Sequence, residues 1–205
     1  MTNSNRERGG SEKPVVILIG TEGKETEPQY FNIVINQKRI RQRADVKVVG
    51  ALGQHKQLID EVVIQRALKA KSLDLKEEDV EAWAVCDKDT MTCTITELQE
   101  CAQSKGVFLA FSSPSFEIFI LQHFTRTSSN ATARELKAKI TVELNKIRRG
   151  LTYEKSNLSW LNDLVDSDPQ VLERAIKNSS YLEDSASSPY LTTHHLLARL
   201  LEMAS

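Results

Sequence analysis

The chain has 205 residues, with 27 lysines and arginines against 28 aspartates and glutamates, for a formal net charge of −1. Hydrophobic residues make up 40% and charged residues 27%, the balance of a soluble globular protein large enough to bury a core without disulfide or structural-metal support. No apolar run is long enough to cross a bilayer, and the near-neutral charge means that a nucleic-acid partner must be met by a local basic patch.

Residues 1–13 lack the apolar core of a signal peptide and read as a disordered lead-in to a cytoplasmic protein. Cys86, Cys93 and Cys101 are an odd set without CxxC spacing, which fits reduced thiols. Residues 15–19, Val-Val-Ile-Leu-Ile, form a continuous β-branched run, the pattern of a strand covered on both faces. Pro28 then opens a helix whose apolar face is Tyr30, Phe31, Val34 and Ile35. A strand over 45–50 precedes a helix marked by Leu58, Ile59, Val62 and Val63 that runs to about residue 71. An acidic linker, 76–79, leads to a strand over 81–86. Thr94 or Thr96 caps a third helix, which Gly106 ends before a strand over 107–111.

Strand and helix alternate up to this point, which predicts an α/β fold: a Rossmann-like, mostly parallel four-stranded sheet with right-handed crossovers and helices on both faces. After Ser112 the pattern is helical, over 115–124, 133–148, 158–165, 169–177 and 191–202. The expected organisation is an α/β core over 14–124 and a C-terminal helical extension over 125–205, packed on the core.

In open parallel sheets, functional groups gather beyond the carboxyl ends of the strands. One such end carries Asp87-Lys88-Asp89, where period-two geometry points both aspartates to the same side. Converging carboxylates repel unless a proton or cation intervenes, and hard oxygen donors suit Mg²⁺ or Mn²⁺. An Asp-rich turn capping the next helix is the alternative. Glu22 follows the first strand between Gly20 and Gly23, small residues that permit the turn needed to aim a carboxylate across the sheet edge. Glu25 and Glu27, beside Pro28, suit the positive end of the following helix. Glu117 falls in an apolar stripe with Ile120, Leu121 and Phe124 and therefore needs a cation, a proton or a buried partner such as Lys or Arg.

The string from Glu22 to Phe31 resembles the EGxxTEPxYF opening of RloB-like proteins. In order, Val85-Cys86-Asp87-Lys88-Asp89 resembles that family's strand ending in DxD, and Ser113-Pro114-Ser115-Phe116-Glu117 with the residues up to Phe124 resembles its NPxFExWLLLHF helix. Residues 190–201 sit where the family places its last helix. Ser113 stands where asparagine is usual, Phe119 near an expected tryptophan, and Thr90 follows Asp89 where a further aspartate is common. The resemblance implies a TOPRIM-like core in which Glu22, Asp87 and Asp89 ligate divalent metal or act beside it as general base, with Glu117 a further acidic site residue. It also implies a nuclease acting on RNA, with tRNA as the expected substrate, beside a partner ATPase in an anti-phage, abortive-infection system.

Lys24, His123 and Lys155 are further candidates for substrate contact. For Lys24 the alternative is a solvated loop lysine, and for His123 a satisfied structural histidine. His194-His195 reads as capping or packing within the last helix, without ligand partners at useful spacing. Basic clusters, Lys38, Arg39, Arg41 and Arg43 in one and Lys137, Lys139, Lys146, Arg148 and Arg149 in the other, either steer a phosphate backbone or form solvated faces. The rival to a metal-dependent nuclease is a non-catalytic subunit whose acidic pocket docks a nucleotide or partner. A phosphotransfer receiver is disfavoured because Glu117 would be idle.

Overall fold

In the computed structural model, strands and helices alternate through the first half as the hydrophobic periodicity predicts. The structure describes residues 15–88, 91–128, 130–183 and 189–204, so the lead-in and Asp89 lie outside the described residues. The order is β1 (Val15–Thr21), α1 (Thr26–Gln37), β2 (Ala44–Val49), α2 (His55–Ser72), β3 (Val80–Asp87), α3 (Ile95–Ser104) and β4 (Phe108–Ser113). There follow α4 (Glu117–Gln122), α5 (Ala133–Ile147), α6 (Trp160–Ser167), α7 (Val171–Ser180), β5 (Tyr190–Leu191) and α8 (Thr193–Glu202).

The sheet is five-stranded, in the order β2-β1-β3-β4-β5, rather than four-stranded. Its first four strands are parallel, and β5 joins β4 antiparallel through Leu191 opposite Ser112 and Tyr190 opposite Ser113. The extra strand lies in the segment expected to be wholly helical. Two residues are too short for period-two alternation to register, and β5 earns its pairing from the free edge of β4.

Side chains alternate across the sheet. On β1, Val16 and Leu18 join one apolar cluster with Leu58, Ile59 and Val62 of α2 and Leu98 and Ala102 of α3. Ile17 and Ile19 face the opposite way, into a cluster built with Tyr30, Phe31, Val34 and Ile35 of α1 and with α4 to α8. On β3, Ala82 and Ala84 follow the first set, Trp83 and Val85 the second. Helices thus cover both faces, and the C-terminal helices share one continuous core with α1.

Local signals set several boundaries. Thr94 caps α3, its hydroxyl accepting from Glu97 N at 3.2 Å while its own N–H donates to Glu97 Oε2 at 2.7 Å. Thr132 caps α5 in the same way. Gly20 serves packing rather than a turn: a Cβ there would come within 2.3 Å of Val62 Cγ2, so α2 lies hard against the end of β1.

Candidate functional site at the carboxyl ends of β1 and β3

The chain leaves β1 toward β2 on one side, while β3 lies on the other, so the carboxyl ends of β1 and β3 border the point where the strand order reverses. Thr21 lies opposite Val85 in register, and Glu22 N donates to Val85 O at 3.0 Å, which holds the residue after β1 beside the end of β3. Asp87 continues the alternation of Trp83 and Val85, so it belongs to the face that α1 covers.

A cavity of about 250 Å³ opens there, lined by Glu22, Gly23, Lys24, Thr26, Glu27, Asp87 and Lys155, with Glu25 at its rim. The structure therefore brings together Glu22, Lys24, Asp87 and Lys155, from three separate parts of the sequence. A larger cavity of about 820 Å³ sits at the amino ends of β1 and β3, where Val15 and Val80 begin their strands. Arg199 and Glu81 already pair there, Nε 2.9 Å from Oε2, and it lies at the wrong end of a parallel sheet for a ligand site.

Glu117, the first residue of α4, is wholly buried and meets the cavity through Lys155. Lys155 Nζ is 3.3 Å from Glu117 Oε1, and the Tyr153 hydroxyl donates to the same oxygen at 3.4 Å. Glu117 Oε2 is buried without a hydrogen bond. The basic partner foreseen for a carboxylate in an apolar stripe is thus present, while the second oxygen remains without a hydrogen bond.

The segment carrying Tyr153 and Lys155 is pinned to α1. Thr26 Oγ1 donates to Lys155 O at 3.1 Å, Gln29 Nε2 donates to Ser156 O at 2.9 Å, and Leu158 N donates to Gln29 Oε1 at 3.2 Å. Glu154 and Asn157 close the turn with a β-bridge. These contacts hold the ammonium over the cavity although half of the Lys155 side chain is exposed.

Glu27 is the site residue that sequence reasoning passed over, because a glutamate in the first turn of a helix is already explained by the helix dipole. Its carboxyl lies over Gly23, where a Cβ would come within 2.0 Å of Glu27 Oε2. Burial, followed by the charges of Asp87 and Glu117, holds the Glu27 carboxyl above its usual range, against the pull of its own backbone N–H and Lys155. Burial alone pushes the Lys155 ammonium down, but Glu117, Glu27 and Asp87 outweigh it and hold the proton more tightly than usual. Burial and then the Glu117 charge push the Tyr153 phenol well up, so it remains a donor. The Tyr153 and Glu27 positions were visible in the sequence; what hid them was that their partners lie on other elements.

His123 does not reach the cavity. It is fully buried in an aromatic cluster with Tyr30 and Phe119, its Nε2 2.9 Å from the Tyr30 hydroxyl and its Nδ1 3.1 Å from Ile120 O. With Nδ1–H donating to carbonyls and Nε2 accepting from Tyr30, both ring nitrogens are satisfied, and the expectation of substrate contact is withdrawn in favour of a structural histidine. The basic cluster of Lys38, Arg39, Arg41 and Arg43 follows the far end of α1, roughly 18 Å from the cavity at 1.5 Å per residue over its 12 residues.

Lys155→Met tests the charge balance. It leaves the buried Glu117 carboxylate with Tyr153 as its remaining donor, and should cost roughly 1–2 kcal/mol of stability, discounted for the half-exposed lysine. Urea unfolding with and without millimolar Mg²⁺ checks it: the deficit should shrink in Mg²⁺ if the pocket accepts a cation, and persist unchanged if it does not.

One family model, described as RloB-like protein, matches residues 17–200. No curated protein and no solved structure matches the chain.

Proposed function

The chain belongs to the RloB-like protein family, and on that premise we propose that it is a divalent-metal-dependent nuclease with a TOPRIM-like core. It hydrolyses phosphodiester bonds in RNA, tRNA foremost, as the effector of a bacterial anti-phage system with a partner ATPase. One observation carries this reading: Glu22, Glu27 and Asp87 surround a single cavity at the carboxyl ends of adjacent parallel strands, with buried Glu117 behind Lys155.

The donor set suits a hard divalent cation. Carboxylate oxygens are the ligands that Mg²⁺ and Mn²⁺ prefer, and Glu22, Glu27 and Asp87 supply them around one cavity. Glu22 and Asp87 would hold the ion, with Asp89 of the same motif as a third ligand. The bound ion supplies Lewis-acid stabilisation of phosphate charge and a more acidic water.

The chain's own groups supply the rest. Glu27 binds its proton more tightly than an ordinary carboxylate, which suits it to accept one from the attacking water. Lys24 and Lys155, both on the cavity wall, meet the phosphate oxygens. Tyr153 and Glu117 position the Lys155 ammonium rather than touch the substrate. The rival reading, a docking or nucleotide-binding subunit, draws on the same Lys155–Glu117 pair, since a built-in cation already offsets part of the charge.

Incubation of the protein with total tRNA, alone and with the ATPase, in Mg²⁺, Mn²⁺ or EDTA separates these readings. The nuclease reading expects cleavage in metal and none in EDTA. Saturable tRNA or nucleotide binding without any cleavage under those conditions would replace it with the docking reading.

A further inference from the structure

Away from the acidic cavity, we propose that Glu183, His194 and His195 form a second metal site, for a borderline transition ion such as Zn²⁺. Glu183 follows α7, and the two histidines lie in the first turn of α8, so the three donors bracket the connection that carries β5. Their ligand atoms all lie within 4.8 Å of one another. Both imidazoles turn Nε2 toward the same oxygen: His195 Nε2 is 2.8 Å and His194 Nε2 is 3.5 Å from Glu183 Oε2. Ligands bound tetrahedrally at ~2.0–2.1 Å stand about 3.3 Å apart, and the two histidine-to-glutamate separations lie on either side of that spacing.

The arrangement is poorly explained as an ion pair. A hydrogen bond to Glu183 needs only His195, which is half exposed and makes it alone. His194 is buried, its ring centroid 4.2 Å from that of His195. Its Nδ1 is buried without a well-formed hydrogen bond, while the backbone of Leu191 lies near enough to favour a proton on the ring. A backbone carbonyl in that position is what orients a ligating histidine. Two nitrogens and one carboxylate oxygen, with a side open to solvent, suit a borderline ion better than Mg²⁺. The bound ion would fasten the end of α7 to the start of α8.

Co²⁺ titration of the tag-free full chain, in excess Mg²⁺ to occupy the carboxylate cavity, tests this through the visible d–d absorption of tetrahedral cobalt. The parent should bind one equivalent, displaced by Zn²⁺. His195→Ala and Glu183→Gln should each weaken binding at least about tenfold, whereas Asp87→Asn should leave it unchanged. His195 is the first choice because its exposed ring can be removed without opening the core. Absence of a tetrahedral spectrum in the parent, or equal Co²⁺ affinity in parent and His195→Ala, overturns the site. Loss of binding in Asp87→Asn alone would assign the ion to the acidic cavity and overturn it equally.

Discussion

Alanine at Asp87 should reduce metal-dependent cleavage of tRNA by at least about 10²–10³-fold, the usual cost of removing a fixed electrostatic group from a reacting centre. Asp87 is the last residue of β3 and lines the cavity, only part-buried, so the substitution removes a carboxylate without opening the core. Its side chain follows the alternation that sends Val85 into the α1 face, where Glu27 and Lys155 both feel its charge. Stability should change little, because removing one carboxylate also relieves repulsion on Glu27. Cleavage rates at saturating Mn²⁺, paired with an unfolding curve, check both halves of the expectation. A folded variant that cuts as fast as its parent would sink the assignment.

Stability should also fall in acid through His123. Burial first, and then Arg174, hold the His123 imidazole down to about 4 from 6.5, despite hydrogen bonds to the Phe119 and Ile120 carbonyls that favour its proton. The unfolded chain therefore takes up this proton before the folded chain does. The contribution is complete above about pH 6.5, is lost progressively toward pH 4, and amounts to roughly 3 kcal/mol at ~1.4 kcal/mol per pH unit. His194, also held down to about 4, adds in the same direction when no metal is bound. The raised Glu27 carboxyl works the other way, because the folded state gains its proton first. Urea unfolding between about pH 7.5 and 4.5 should show the decline, and His123→Gln, whose side chain does not titrate, should show a shallower one. Equal slopes would mean that His123 is protonated as easily in the core as in water.

The strands and helices of the first half were legible because their hydrophobic period is unambiguous: Ile17 and Ile19 face one core, Val16 and Leu18 the other. Glu22 and Asp87 were legible because parallel strands deliver their following residues to one edge. Glu27 was not, since the helix dipole already accounted for a carboxylate in that turn. β5 was hidden by its two-residue length. The His194–His195 pair was set aside for want of a ligand, because Glu183 comes from before β5 and no spacing rule joins the two. His123 and Lys155 illustrate the limit from the other side. Both are basic residues offered by the sequence for substrate contact, yet Tyr30 and the carbonyls of α4 confine one to the core, while Thr26 and Gln29 tether the segment that brings the other over the carboxylates.

That tether makes the pocket a joint product of distant parts of the chain. The first 124 residues carry Glu22, Glu27, Asp87 and Glu117, whereas Tyr153 and Lys155, which meet Glu117, arrive with the turn docked on α1. A sheet transplanted without that turn would keep its acids and lose their counterweight.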